Sequence, residues 1–517
     1  MKDEYRFWPG LLLVARIPLP HMKCIKKLFR KQDDDDELLL DITEFIEPIK
    51  TVDQQKREIV PSSTDIRRCA SRESVVEFSC SVSSGQYYVS DDCSSVTQSP
   101  CNPLSVYAGN MSQYSNTIFY FIGTSSMISD VYMISVSNVT LHGLDQSSSI
   151  VCKEVSKTSI SIKLSINITI TNSSFATGSG RIDTSNAFDL IISSSVFSAS
   201  YFLDIYYAPL PAYRSSSELL HYSLMLTNVI FNTGSRMELI MSHGTTYNVS
   251  IIFDHVHGCI EPGFQVKGLF YFLIINSLFY DVNVGPGLFI DFDKNLESAD
   301  CTYYRGIQLT STLVIEDSQF YNNKQGLKIF GNKYLLEAIN YHIIIKSCLI
   351  YDNINEGLFI DAKFLKLTQI EIIDTELIGN GGNNIMNSNA ISLSNVTVAN
   401  STYTGLSLTA SLVIIKNDFI FENNTGVVGG GLAINDSSVL IVSSSANLEF
   451  IDNHASYKGG GIYSEESTFS DIKSMAQNIP LTLINNTAGL VGGDMYGVYG
   501  MTQSNQFNLT NPNISST

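Results

Sequence analysis

Asp291 and Asp293 stand two residues apart at the end of the run Gly287-Leu288-Phe289-Ile290-Asp291, and Asp361 closes the related run Gly357-Leu358-Phe359-Ile360-Asp361. Residues two apart in a strand share one face. Paired carboxylates on such a face suit Ca2+ binding, or acid and base work on a polysaccharide. Solvated strand ends carry the same residues without any chemistry, and that is the preferred reading. Asp361 follows Asp291 by seventy residues, roughly three coils of a stacked β fold, too far to complete one small site. Asp91-Asp92 reads as a turn. His142-Gly143, His243-Gly244 and His257-Gly258 share a dipeptide, but nothing beside them orients a base. The chain has no His-Glu-x-x-His, no Gly-x-Ser-x-Gly and no phosphate loop, since Gly429 to Gly431 lacks the lysine such a loop needs. The expectation is no catalytic residue, no cofactor and no metal.

Nine cysteines occur, at 24, 69, 80, 93, 101, 152, 259, 301 and 348. Cys80, Cys93, Cys101 and Cys152 cluster and are the disulfide candidates. A Cys93–Cys101 bond would pin a Ser-rich loop. No Cys-x-x-Cys pair and no nearby His favours zinc instead. Cys259, Cys301 and Cys348 lie in strand-like contexts and read as small core residues.

Twelve Asn-x-Ser/Thr sequons are glycosylation candidates: Asn110, Asn138, Asn167, Asn172, Asn248, Asn395, Asn400, Asn423, Asn435, Asn485, Asn508 and Asn513. None precedes residue 110. That one-sided distribution matches a shift in charge. Residues 1–85 carry fourteen basic and fifteen acidic residues, while the rest carries eighteen basic and thirty-five acidic. An acidic, Ser- and Asn-rich body argues against nucleic acid as a partner, since binding would need a basic face, and suits an extracellular surface.

The elements that position these residues are read from a repeat. Phe421-Glu422-Asn423-Asn424 precedes Gly429-Gly430-Gly431-Leu432, Phe450-Ile451-Asp452-Asn453 precedes Gly459-Gly460-Gly461-Ile462, and Leu483-Ile484-Asn485-Asn486 precedes Gly492-Gly493-Asp494-Met495. Phe421, Asn424, Gly430, Phe450, Asn453, Gly460, Asn486 and Gly493 are the structural positions of this unit. Looser copies run upstream, as in Ile166 to Phe175, Leu190 to Phe197, Leu224 to Phe231, Ile274 to Phe279 and Leu313 to Phe320. Short alternating runs closed by Asn, Gly and Ser are strands joined by tight turns. Asn tolerates left-handed backbone at such turns, and Gly permits a sharp corner. A sustained repeat of this kind marks a solenoid rather than a sandwich or propeller. The fold class is all-β, a right-handed parallel β-helix of roughly fifteen coils and about 70 Å in length at strand spacing.

The three strict copies resemble the polymorphic outer-membrane-protein repeat, with Leu483 in place of the first Phe and Asp494 after the last Gly pair. More widely, residues 86–500 are similar to β-helix ectodomains of large invertebrate surface proteins. The resemblance is carried by Gln86 to Cys93 with Cys101 to Ser105, by Thr117 to Phe121, and by Asn138 to Gly143. It implies a secreted start near Gln86, further repeats and C-terminal membrane helices. Tyr5 to Leu13 looks like a displaced piece of such a membrane region.

The expected organisation is a charged leader at 1–85, disordered or mis-joined, an N-terminal cap at 86–125, β-helix repeats at 126–500 and a truncated polar tail at 501–517. The longest apolar run of the repeats, Leu269 to Ile275, is too short to span a bilayer. The tail after Gly500 stops in mid-repeat, so the chain is expected to be a fragment that frays or self-associates at its last coils. The expected function is a non-enzymatic extracellular or cell-surface spacer or adhesive surface. Its partner would be a protein or glycan, and its full-length form membrane-anchored. The alternative is a carbohydrate-active lyase or hydrolase on a pectate-lyase-like β-helix. A groove gathering three or more carboxylates with Arg or Lys would favour the alternative.

Overall fold

The computed structural model describes residues 85–515, apart from 146–147, 153–157, 177–179, 186–187, 199–201, 208–220, 242–247, 261–263, 268–270, 293–308, 332–338, 364–366, 466–470, 475–478, 498–506 and 510–513. The leader up to residue 84, Cys24, Cys69, Cys80, Cys301, His243, Asp293 and Asn513 lie outside the described residues.

The middle coils have three strands. One coil is Tyr271–Ile275, Leu278–Tyr280 and Pro286–Phe292, and the next is Leu309–Glu316, Gln319–Tyr321 and Gln325–Gly331. Equivalent strands of successive coils pair in parallel and in register, as in Phe272 with Leu313, Phe279 with Phe320 and Leu288 with Leu327. First strands therefore stack into one column, second strands into another and third strands into a third. The first column runs from Gly85–Val89 to Asp471–Ser474. The fold is a right-handed parallel β-helix.

Two corners explain why the second strands are so short. Asn276, Asp317, Ser347 and Asp374, between first and second strands, take left-handed φ of 49 to 51°. Asp281, Asn322, Asp352 and Gly379, between second and third strands, take φ of 52 to 65°. Asn and Asp tolerate this conformation because their short side chains bond locally. The residue after the first corner turns inward and is small and polar: Ser277 Oγ donates to Ile275 O at 2.9 Å, and Ser318 Oγ accepts from Ser277 N at 3.1 Å. Cys348 occupies the same row, with its Sγ 3.2 Å from Lys346 O. Burial pushes its thiol up to about 12.

Aromatic rings fill the interior in stacks. Phe175 lies 4.9 Å from Phe197, Phe197 lies 5.0 Å from Phe231, and Phe421 lies 4.8 Å from Phe450 with ring planes 8° apart. Phe421 and Phe450 are wholly buried. Strand stacking at about 4.8 Å imposes this spacing, because equivalent inward positions lie one above another.

The asparagines of the repeat form two rows. Asn423, Asp452 and Asn485 take the left-handed corner, with φ of 51 to 54°. The following residues, Asn424, Asn453 and Asn486, point inward as a buried ladder. The expectation that the recurring Asn of each copy serves a left-handed turn is thus displaced by one residue. Asn424 Nδ2 donates to Asn453 Oδ1 at 2.9 Å, and Asn453 Nδ2 donates to Asn486 Oδ1 at 3.0 Å. Asn323, Asn353 and Asn380 build the same ladder earlier. The glycines divide similarly. Gly429, Gly459 and Gly492 have positive φ, whereas a Cβ on Gly430 would lie 2.4 Å from the carbonyls of Gly460 and His454. Gly493 accepts from Gly461 N through its carbonyl. In these coils the gap between Asn and Gly holds an added strand: Thr425–Val428, His454–Lys458 and Thr487–Ala488 form their own small parallel sheet.

At the N-terminal end a Cys93–Cys101 disulfide closes the Ser-rich loop. A helical turn, Leu104–Ala108, follows it and buries Leu104, Tyr107 and Ala108. Tyr107 and Tyr114 each pack edge to face against Tyr87 and Phe119, which stack on one another. Cys152 is buried in the core. Within the expected polar tail, Phe507–Leu509 pairs with Ile479–Leu481 and Ile514–Ser515 pairs with Met495–Tyr496, so the winding continues there.

Candidate functional site

A parallel β-helix offers chemistry on its outer faces, because the interior is filled. On the first column, outward side chains alternate with the buried row Leu313, Ile315, Ile343, Ile345, Ile370 and Ile372. Thr312, His342 and Gln369 are register partners along one outward row, and Val314, Ile344 and Glu371 along the next. His342 and Glu371 thus sit diagonally on adjacent coils, with His342 Nε2 3.8 Å from Glu371 Oε1 and both half-buried. That separation exceeds a hydrogen bond and is an electrostatic contact. The imidazole is the largest influence on Glu371 and holds its carboxyl below the usual range, against an opposing effect of burial. Lys416 acts in the same direction as the imidazole.

Lys346 lies on the strand of His342, four residues nearer the corner. Its Nζ is 2.6 Å from Glu316 Oε1 on the preceding coil. Glu316 is the main reason that the Lys346 ammonium is held above its ordinary pKa, with Asp317 and Asp374 adding to it. Four strand residues span about 13 Å. The face therefore presents an imidazole–carboxylate pair and, about two sugar lengths along, a fixed cation. Beneath them Tyr341 is buried, with its ring 4.8 Å from Phe292.

An imidazole can accept a proton, and a carboxylate beside it can orient the ring. Sequence reasoning missed this site. His342, Lys346 and Glu371 carry the correct parity for outward positions, but nothing in the chain shows that Ile344 pairs with Glu371.

The carboxylates singled out from sequence lie elsewhere, on the third column. Pro286–Phe292, Gln325–Gly331 and Glu356–Asp361 are consecutive, so Asp291 and Asp361 are two coils apart rather than three, with Phe330 the register partner of both. Asp291 is buried, at 8% exposure. Asp361 accepts from Asn387 Nδ2 at 2.8 Å and from Lys363 N at 3.1 Å. In the adjacent row Lys328 Nζ lies between Phe289 and Phe359, 5.5 and 5.1 Å from the ring centroids. Farther toward the N-terminus on this column, Asp183 is the register partner of Asp204, and Asp204 that of Glu238. Arg181 Nε lies 2.8 Å from Asp204 Oδ2. Among the described residues no group of three or more His, Cys, Asp and Glu is placed to hold a metal ion.

Asp91 accepts from Ser126 N at 2.9 Å, and the Ser94 hydroxyl holds the exposed Asp92 below the usual carboxylate range. His142 meets Tyr120 edge to face at 5.6 Å. Burial holds His257 below its ordinary pKa. Of the sequon asparagines, Asn138, Asn167, Asn172, Asn395, Asn400, Asn423 and Asn485 occupy left-handed corners. Asn110 precedes a short helical turn, and Asn435 ends the strand Leu432–Asn435. Asn248 and Asn508 lie in strands, Asn248–Asp254 and Phe507–Leu509. Among the described residues no helix is long and apolar enough to cross a membrane.

No protein-family model matches the chain, and no curated protein matches it significantly. Among solved structures, the A-module of the mannuronan C-5 epimerase AlgE4 of Azotobacter vinelandii aligns with 78% of this chain and 90% of its own length, at 10% identity and a TM-score of 0.31. The catalytic domain of a GH87 α-1,3-glucanase, in complex with nigerose, aligns over 79% of this chain and 65% of its own, at 9% identity and a TM-score of 0.31. The A-module of the Azotobacter vinelandii epimerase AlgE6 aligns over 77% and 91%, at 10% identity and a TM-score of 0.24. These neighbours are carbohydrate-active enzymes, which stands against the expectation of a non-enzymatic spacer or adhesive protein, and that expectation is corrected. At these identities and scores the likeness locates no site and names no substrate for this chain. What it shares with these proteins is the right-handed parallel β-helix.

Proposed function

We propose that the protein is an extracellular carbohydrate-active enzyme that cleaves an acidic polysaccharide laid along the outer face of the first column. The observation that carries this reading is the His342–Glu371 pair at 3.8 Å on the outer face of the first column, both half-buried, with the Lys346 cation on the same strand. The Cys93–Cys101 disulfide fits an oxidising compartment.

In this reading His342 takes the proton from the carbon beside a sugar carboxylate. The released electron pair becomes a carbon–carbon double bond, and the bond from the next carbon to the glycosidic oxygen breaks. The proton held on the imidazole is returned to that leaving oxygen, so the enzyme ends as it began. Glu371 stabilises the imidazolium while charge is separated. Lys346, about 13 Å along the strand, keeps its bond to Glu316 and offers its remaining ammonium donors to the carboxylate of another sugar unit, which holds the register of the chain. We also assign the three coils over residues 420–496 to the polymorphic outer-membrane type, on the stacked Phe421 and Phe450 and the ladder of Asn424, Asn453 and Asn486.

The reading is tested by incubating the full-length protein with polygalacturonate, polymannuronate and a neutral glucan, and following polymer length. Shortening of an acidic polymer with unsaturated ends is expected, with Lys346→Ala raising KM more than it lowers kcat. Shortening of none of the three polymers would overturn it.

A further inference from the structure

The sequons have a geometric origin in this fold. At Asn138, Asn167, Asn395, Asn400, Asn423 and Asn485 the asparagine takes the left-handed corner and is exposed. The next residue in each case is buried, and the Ser or Thr after it faces outward, intermediate or exposed. A corner followed by one inward and one outward position therefore generates the acceptor pattern Asn-x-Ser/Thr on the surface. Corners of successive coils also lie one above another. Asn167 Nδ2 donates to Asn138 Oδ1 at 2.8 Å, and Asn423 Nδ2 donates to Asn400 Oδ1 at 2.8 Å.

We propose that these corner asparagines are N-glycosylation sites, and that each stacked pair, Asn138 with Asn167 and Asn400 with Asn423, carries one glycan and not two. The Asn Nδ2 attacks the anomeric carbon of an oligosaccharide linked to a lipid pyrophosphate. The nitrogen–carbon bond forms, the bond from that carbon to the phosphate oxygen breaks, and the amide proton departs with the lipid pyrophosphate leaving group. One N–H remains on the modified amide, enough to keep the bond to the neighbouring corner. Two glycans on a stacked pair would root about 4.8 Å apart, which leaves room for only one bulky hydrated chain. A doubly modified chain cannot close that coil and is missing from the folded product.

The test is site-resolved glycan occupancy and intact mass of the full chain, fused to a secretion signal and purified folded from eukaryotic cells. Thr402→Ala and Thr425→Ala remove one acceptor hydroxyl each while keeping both corner asparagines. The expected result is one glycan across Asn400 and Asn423 in the parent, moved wholly to Asn423 in the first variant and to Asn400 in the second, and lost in the double variant. Folded molecules with both asparagines modified would overturn the proposal. So would folded, secreted protein with every corner asparagine bare.

Discussion

Asn453 holds three coils together from one buried position. Its Nδ2 donates to Asn486 Oδ1 on the following coil and to Phe421 O on the preceding one, both at 3.0 Å, and its Oδ1 accepts from Asn424 Nδ2 at 2.9 Å. Asn453→Ala takes this partner from the buried Phe421 carbonyl and from the backbone and side-chain amides of Asn424. Each unsatisfied group costs about 1–3 kcal/mol. The expected loss, read by urea unfolding, exceeds that of a substitution in the neighbouring corner row, such as Asp452→Asn. Equal, small losses at both positions would show that the ladder does not carry stability.

Phe421 and Phe450 are stacked, wholly buried partners. Truncating either to Ala leaves a cavity beneath a rigid sheet that cannot collapse. Each is expected to cost about 3–5 kcal/mol. Because the two share one stack, the double variant is expected to lose less than the sum. Losses below about 1 kcal/mol in both singles would contradict the packing described, since the lost transfer energy alone exceeds that.

Cys348 provides a local reporter of opening. Its thiol is buried and pushed up to about 12, so almost no thiolate exists at neutral pH. Labelling by a thiol reagent is expected only in denaturant, at the rate of unfolding of the middle coils. Fast labelling in native buffer would mean that the row of Ser277, Ser318 and Cys348 is open to solvent.

The fold was legible because the corners impose a residue type. Left-handed φ at Asn276, Asp317 and Asp374 admits few side chains, and the inward alternation of strands such as Ile166–Thr171 is visible without a structure. The strict copies were legible for a further reason: close backbone approach at Gly430 and Gly460 excludes any Cβ. The site was not legible. Ser277 meets Ser318 forty-one residues on, whereas Asp374 meets Asn395 after only twenty-one. With coil length varying twofold, outward residues of neighbouring coils cannot be matched by counting. Counting therefore sets Asp291 and Asp361 one coil too far apart, and it cannot bring His342 and Glu371 together.

The lowered pKa of Glu371 has a consequence for acid stability. A carboxyl whose folded pKa is depressed favours the fold above its ordinary value and loses that contribution as pH falls through the lowered one. Thermal midpoints are expected to fall on acidification below about pH 4.5, the region where an ordinary Glu titrates. Glu371→Gln is expected to reduce that acid dependence. His342→Ala is expected to reduce it too, because the imidazole is the main cause of the shift. An unchanged acid limb in both variants would show that the pair is not formed in solution.

The most direct measurement is the initial rate of unsaturated-end formation from a polyuronate, compared between the full-length protein and His342→Ala at matched thermal stability. Removing a general base is expected to lower kcat by about 10²–10⁴ with little change in KM. A His342→Ala protein that is folded and as active as the parent would contradict the assignment of the outer face of the first column as the reacting site.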